Sequence, residues 1–190
     1  MLTPIREGLF WWSTPDPADD WMMVGHLFVR ETGIVFVDPP LIPGLLQAAN
    51  RLGKPEAVLL STQNHTRASK YISKRAGVPV YLPEQNPETL DAPEIIKVKE
   101  IGKFEVYGAG SVLGFQAYKF GDDYALLSDE KELLVGDNAT GDMNGNLVLP
   151  PEDLFRKEFK DIVSRTGATT LLASHGYDIY GSLQAQAGKL

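Results

Sequence analysis

Three histidines, His26, His65 and His175, are the whole supply of imidazole in a chain that has no cysteine. A metal site or an acid–base pair must then be assembled from these rings, the carboxylates and the hydroxyls. Thiolate nucleophiles, disulfides and cysteine-ligated metals are excluded outright. Hydrophilic residues follow apolar runs at four points: Asp38 after IVFV, the Thr62–Arg67 cluster after AVLLS, Asp137 after ELLVG, and His175 after TTLLAS. In layered α/β folds ligand sites gather where strands end and loops begin. A zinc ion takes three or four protein donors, and a two-metal centre about six. No HxH or HExxH pair is present, so a dinuclear centre lacks nitrogen donors. An oxygen-rich mononuclear site from Asp137, His175 and one more carboxylate stays open. Each point also has a plainer reading. Asp38 before Pro39-Pro40 suits an Asx turn, Asp137 suits a turn cap, and His175 before a glycine suits a structural histidine. His65 lies where a helix begins, a place that usually leaves the ring exposed.

Other chemistries find less support. Ser174 and His175 are adjacent, and adjacent side chains on a strand point to opposite faces, so they are not a nucleophile–base pair. The GxSxG elbow and the Walker A loop are absent, and GAGSVLG at 108–114 falls in a β region rather than between strand and helix.

The elements that must carry these residues follow from the pattern. HLFVRETGIVFVDPP (26–40) reads as a β-hairpin about the ETG turn, stopped by Asp38-Pro39-Pro40. Residues 43–53 read as a helix from Pro43 to a Gly53 cap. AVLLS (57–61) is a short buried strand. A helix over 65–77 follows, with Ala68, Tyr71, Ile72 and Ala76 on one face, and then a strand over 78–83. That order predicts a βαβ unit with a parallel pair. The segments 94–107, 111–120, 123–128 and 132–135 read as β, joined by connections short enough for antiparallel pairing. An amphipathic helix over 151–165 points Leu154, Phe155, Phe159, Ile162 and Val163 inward, and TTLLAS (169–174) is a last buried strand. The sum is a mixed α/β chain with much β.

Composition bounds the rest. The 190 residues suit one domain, 1–190, with 43% hydrophobic and 23% charged residues. A net charge of −7 and a pI near 5.0 argue against nucleic-acid binding. The N-terminal stretch carries acids and prolines, unlike a signal peptide, and no apolar run is long enough to cross a bilayer. A soluble cytoplasmic protein with no nucleic-acid or membrane partner is expected. The aromatic LFWW and DDWMM segments near the N-terminus suit either a homo-oligomer interface or, the favoured reading, packing on an open sheet edge.

From about residue 20 to residue 181 the chain resembles the metallo-β-lactamase superfamily. IVFVDPP carries the aspartate that ends an early strand in that family, at Asp38. AVLLSTQNHTRAS is similar to its strand and HxHxDH segment, ELLVGDNATG to its LLxGD segment, and TTLLASHG to its closing strand and histidine. The resemblance implies a four-layer αββα sandwich of two mixed β-sheets flanked by helices. It puts Asp137 at the metal-bridging position and His175 at the last ligand position. It puts Thr62 and Asn64 at the first two histidines, Thr66 at the aspartate and Arg67 at the following histidine, while His65 falls on a spacer. Ser111 or a neighbour stands at the third-motif histidine. What was a metal cradle is thus expected to be a pocket of Asp38, Thr62, Asn64, Thr66, Arg67 and Ser111. Arg67 is expected to pair with Asp137, or else to take a small anionic ligand.

Two functions follow as expectations. The first is a metal-poor, non-hydrolytic member of this fold with a binding or accessory role and no cofactor. The alternative is a mononuclear hydrolase of a small ester, thioester or lactone, with zinc, iron or manganese held by Asp137 and His175 and with His65 as a further site residue.

Overall fold

The computed structural model describes residues 1–17, 21–84 and 97–190. Its contacts gather into two compact units, Met1–Val106 and Tyr107–Leu190.

The first unit is built on a seven-stranded mixed sheet, ordered β1 to β7 as in the chain. Strands β1 (Thr3–Arg6), β2 (Leu9–Pro15), β3 (Met22–Val29) and β4 (Ile34–Val37) run antiparallel in succession. The pair β3–β4 is the expected hairpin, closed by the bond from Arg30 N–H to the Gly33 carbonyl at 2.9 Å. Strands β5 (Pro55–Leu59) and β6 (Val80–Pro83) then add in parallel to β4, which is the predicted βαβ arrangement. Every residue of β4 is buried, as expected for a strand covered on both faces. The helices α1 (Leu45–Asn50) and α2 (Ser69–Ala76) bring Leu45, Ala49 and Ile72 into one core with Phe36, Val58 and Val80.

Three sequence expectations are corrected in this unit. The helix expected over 43–53 covers only Leu45–Asn50. Residues 65–68 stay outside α2. A short 3₁₀ turn, Gln63–His65, intervenes, and Arg67 takes a left-handed φ of 34° that breaks the helical run. Tyr71 consequently faces out at 41% exposure, while Ala68 and Ile72 are buried. The β segment expected over 94–107 begins outside the described residues at 94–96, and residues 97–100 are helical (α3). Val98 and Ile101, three apart, reach the core there, a helical spacing that the β-branched composition of the segment hid. Among the described residues of this segment only β7 (Phe104–Tyr107) is strand.

The second unit centres on a five-stranded sheet in the order β14-β11-β10-β9-β8. Its strands are β8 (Gly110–Val112), β9 (Phe115–Phe120), β10 (Asp123–Leu127), β11 (Glu132–Val135) and β14 (Thr170–Ala173). The run expected as one strand over 111–120 is a hairpin. Leu113 (φ 45°) and Gly114 (φ 73°) form a two-residue turn between the paired Val112 and Phe115. Positive φ at both central residues is the type I′ pattern that matches strand twist, and a leucine there gives no turn signal in the sequence. The pairs β8–β9, β9–β10 and β10–β11 are antiparallel, and β11–β14 is parallel.

Helix α4 (Asp153–Thr166) buries Phe159, Ile162 and Val163 against this sheet. Leu154, expected inward, is instead 61% exposed in the first turn. Helix α5 (Leu183–Ala187) closes the same core with Leu183 and Ala187. The fold class is therefore as expected: two mixed sheets flanked by helices. Ring-to-ring contacts in the second unit join Tyr107 to Tyr124 and Phe120 to both Phe155 and Phe159. Trp12 is buried in the first core, its indole donating to the Pro40 carbonyl at 2.9 Å, whereas Trp21 is 55% exposed. Among the described residues no helix is long and apolar enough to cross a membrane.

A small two-stranded ribbon, β12 (Thr140–Gly141) with β13 (Leu147–Val148), completes the second unit. Asp142 organises its loop. Its Oδ1 accepts the Asn144 and Asn146 N–H groups, both at 2.8 Å, and its Oδ2 accepts the Asn146 side-chain amide at 3.0 Å. The Asn146 side-chain bond first, then the backbone bonds, hold the Asp142 carboxyl below its ordinary range. A depressed carboxyl contributes order above its unfolded pKa and loses it as pH falls through the lower folded value. Lowering pH from about 6 to about 2 is expected to loosen the 142–146 loop, seen as lost protection of the Asn144 and Asn146 amides. In Asp142→Ala these amides should be unprotected at every pH.

Candidate functional site

Parallel register brings two of the candidate residues together. Val135 on β11 lies opposite Ala173 on β14. Asp137 and His175 each stand two residues beyond that last paired position, so a common strand spacing carries them out side by side. Ser174 N–H donates to the Val135 carbonyl at 3.1 Å, extending the pairing to the edge of the site. His175 Nε2 is 3.3 Å from Asp137 Oδ1, with the imidazole 19% and the carboxylate 43% exposed. Both donors are thus partly open to solvent.

The backbone around this pair is held closely. Gly176 sits at φ 72°, and a Cβ there would run into the Thr140 hydroxyl and lie 3.1 Å from the Gly141 carbonyl. Gly141 in turn leaves no room for a Cβ, which would lie 2.6 Å from the Tyr177 carbonyl. These two glycines let β12 press against residues 175–177, and Gly141 and Tyr177 form a bridge. Thr140 Oγ1 donates to the His175 carbonyl at 2.5 Å. On the far side of His175, Asp178 accepts Ala173 N–H at 2.8 Å through Oδ1 and the Tyr180 hydroxyl at 2.8 Å through Oδ2. Burial, then the Asp178 charge and hydrogen bond, raise the Tyr180 phenol above its ordinary pKa. After Asp137, the Asn138 amide donates to the Phe120 carbonyl at 3.0 Å, tying the loop to the aromatic core of the unit.

In the first unit the expected pocket residues have structural work. Asp38 is fully buried at a left-handed φ of 45°. Its Oδ1 accepts Ser61 N–H at 2.9 Å and its Oδ2 accepts the Ser61 hydroxyl at 2.5 Å. Asp38 is therefore more than a local Asx turn, because it joins the ends of β4 and β5. His65 Nδ1 lies 3.4 Å from the same Oδ2, with the residue 4% exposed. The expectation of an exposed helix-start histidine fails here, because the 3₁₀ turn folds the ring back over Asp38.

Thr62 is buried and caps that turn, accepting Asn64 N–H at 3.2 Å. The side chain of Asn64 is exposed, and Thr66 is buried, its carbonyl accepting Ser69 N–H at 2.8 Å. Arg67 donates to the carbonyls of Val24 (2.9 Å) and Asp38 (2.8 Å). Ser111 lies exposed on β8, at the opposite edge of its sheet from β14. The sheet order thus separates Ser111 from His175, while the β11–β14 pairing brings Asp137 and His175 together.

Sequence reasoning did not find Ser61 as the partner of Asp38, nor Thr140 and Asp178 as the supports of His175. Ser61 was discoverable in principle, since it stands two residues past the last paired residue of a strand parallel to β4. The other two depend on loops whose course no local pattern announces.

Comparison with known proteins adds the family context. A family model described as the metallo-β-lactamase superfamily matches residues 1–180. The DIM-1 metallo-β-lactamase structure superposes with a TM-score of 0.72 at 14% identity, over 100% of this chain and 97% of that one. A metallo-β-lactamase from Pontibacter korlensis gives 0.70 at 18% identity, with 100% and 97% covered. The chemotaxis sensor ODP of T. denticola gives 0.60 at 14% identity, with 96% and 93% covered. No curated protein sequence matches. At these identities the structural likeness speaks for the fold alone.

Proposed function

Because the chain belongs to the metallo-β-lactamase superfamily but lacks its HxHxDH run, we propose that it is a mononuclear metal-dependent hydrolase of a small ester, thioester or lactone. The observation that carries this reading is the Asp137–His175 pair, an imidazole nitrogen and a carboxylate oxygen 3.3 Å apart at the ends of parallel strands. One nitrogen and one oxygen donor suit zinc, iron or manganese. They do not suffice for two ions, whose other usual positions carry Thr62, Asn64, Thr66 and Arg67. A single ion takes three or four protein donors, so the pair needs at least one more.

The chain's own contributions are positional. Thr140 and Asp178 hold the backbone on either side of His175, and Asn138 holds the loop after Asp137. These bonds hold the main chain that carries the two donors. Asp137, being the more exposed of the two, is also placed to take a proton from an incoming water. A bound divalent ion would supply Lewis acidity to a carbonyl group.

The first test is elemental analysis of the protein purified without chelator, followed by hydrolysis assays on p-nitrophenyl acetate, a thioester and a γ-lactone. Near-stoichiometric zinc, iron or manganese is expected, with turnover of at least one substrate that a chelator removes. A metal-free protein that takes up none of the three ions on addition would instead support the second reading, a binding or accessory role. That reading draws on Thr62 and Arg67, whose side chains serve a turn cap and two carbonyls where the family holds metal. The fold's use in a protein named as a chemotaxis sensor is consistent with it.

A further inference from the structure

His65 falls on a spacer position of the family's motif, so nothing in the motif assigns its ring a partner. We propose that Asp38 is a positioning residue for His65, holding its imidazole with the proton on Nδ1 and leaving Nε2 as the bare donor atom. This deepens the proposed function, since it rests on that reading for what Nε2 would meet, but the tautomer itself can be read without any metal.

Both residues belong to the first unit. Asp38 and His65 are both at least nine-tenths buried, and Nδ1 lies 3.4 Å from Oδ2. The carboxylate cannot turn away to satisfy itself elsewhere. Ser61 N–H fixes Oδ1 at 2.9 Å and the Ser61 hydroxyl fixes Oδ2 at 2.5 Å. The Asp38 main chain is fixed as well, its N–H bonding the Leu59 carbonyl at 3.1 Å and its carbonyl accepting Arg67 at 2.8 Å. A neutral imidazole carries one N–H, and a carboxylate only accepts. At 3.4 Å this is a charge contact rather than a formed hydrogen bond, and the Asp38 charge favours the proton on the nitrogen that faces it, Nδ1, with the lone pair on Nε2. A carboxylate behind a histidine is the arrangement by which proteins set the tautomer of a ligating ring and raise its basicity.

Asp38→Asn reverses the logic with little change in shape. Ser61 N–H still requires an acceptor at the Oδ1 position, so the amide NH₂ falls where Oδ2 was and now faces Nδ1. A donor there favours a bare Nδ1 and a proton on Nε2. The experiment is long-range ¹H–¹⁵N correlation on labelled, metal-free protein at a pH where the ring is neutral. Wild type is expected to show His65 protonated on Nδ1, and Asp38→Asn to show it protonated on Nε2. Asp38→Glu, which keeps the carboxylate, is expected to restore the wild-type pattern. Should Asp38→Asn fail to fold, Asp38→Ser removes the carboxylate with a smaller group and is expected to abolish the Nδ1 preference.

An Nε2 proton in wild type, or an unchanged Nδ1 proton in folded Asp38→Asn or Asp38→Ser, overturns the proposal. Zinc binding by the same variants then addresses the functional reading separately. A drop of about 10–100-fold in zinc affinity for Asp38→Asn is expected if His65 is a ligand. An inverted tautomer with unchanged zinc affinity would keep the positioning role and remove His65 from the metal set.

Discussion

His175→Ala is expected to bind added zinc at least about 100-fold more weakly than wild type, a larger loss than removal of a ligand's supporting partner brings. Asn64→Ala is expected to bind it as wild type does. The two variants separate this chain's own geometry from the family's numbering. Asn64 stands where the family has a histidine, yet its side chain is exposed and only its N–H is engaged, by Thr62. His175 is one of two donors whose meeting the β11–β14 register enforces, with Thr140 on its carbonyl. Zinc titration followed by a competing chromophoric chelator reads both affinities directly. Far-ultraviolet circular dichroism guards against misfolding, which is not expected for His175→Ala because the imidazole is partly exposed. Equal losses in the two variants, or none in either, would remove Asp137 and His175 as the core of the site.

The second large effect is on stability. Phe159 is fully buried, 5.6 Å from the Phe120 ring, in the core that α4 shares with β9, β10 and β11. Phe159→Ala is expected to cost about 3–5 kcal/mol, from lost apolar transfer and the cavity left behind. Against a typical total of about 5–15 kcal/mol, that is a large share of the stability. Urea unfolding should show a sharply lower midpoint with little change in slope. The effect should also reach the site, because Asn138 is tied to the Phe120 carbonyl and Glu158 of α4 accepts Gly121 N–H at 2.8 Å. A tightened metal affinity in Phe159→Ala would contradict that linkage.

The sequence was most readable where burial imposes a period. The βαβ unit, the antiparallel order of β9 to β11, and the presence of a closing buried strand follow from apolar runs and short polar connections. Asp137 and His175 could be named as strand-end residues for the same reason. Their meeting was implied only by the family resemblance, because it depends on β14 pairing beside β11 across thirty-odd residues of intervening chain, and register between distant strands leaves no local mark. The failures share a cause as well. Leu113 and Arg67 adopt positive φ without being glycine or asparagine, so the turn in 111–120 and the broken helix start at 65–68 were invisible to rules based on residue type. His65 was misjudged because its burial comes from a long-range partner, Asp38, rather than from its own helix.

Arg67 has a further meaning for the history of such a site. Its guanidinium binds two carbonyls from chain segments 43 and 29 residues away in sequence, and Val24 and Asp38 are both buried. Charge-assisted bonds of this kind contribute roughly 1.5–3 kcal/mol each, and an abandoned buried carbonyl carries its own desolvation cost. Putting a histidine back at this position would strand both carbonyls before any metal could compensate, since Thr62, Asn64 and Thr66 would still lack donors of the family's kind. The fold has thereby acquired a ratchet: the path back to a full metal cradle runs uphill through single substitutions.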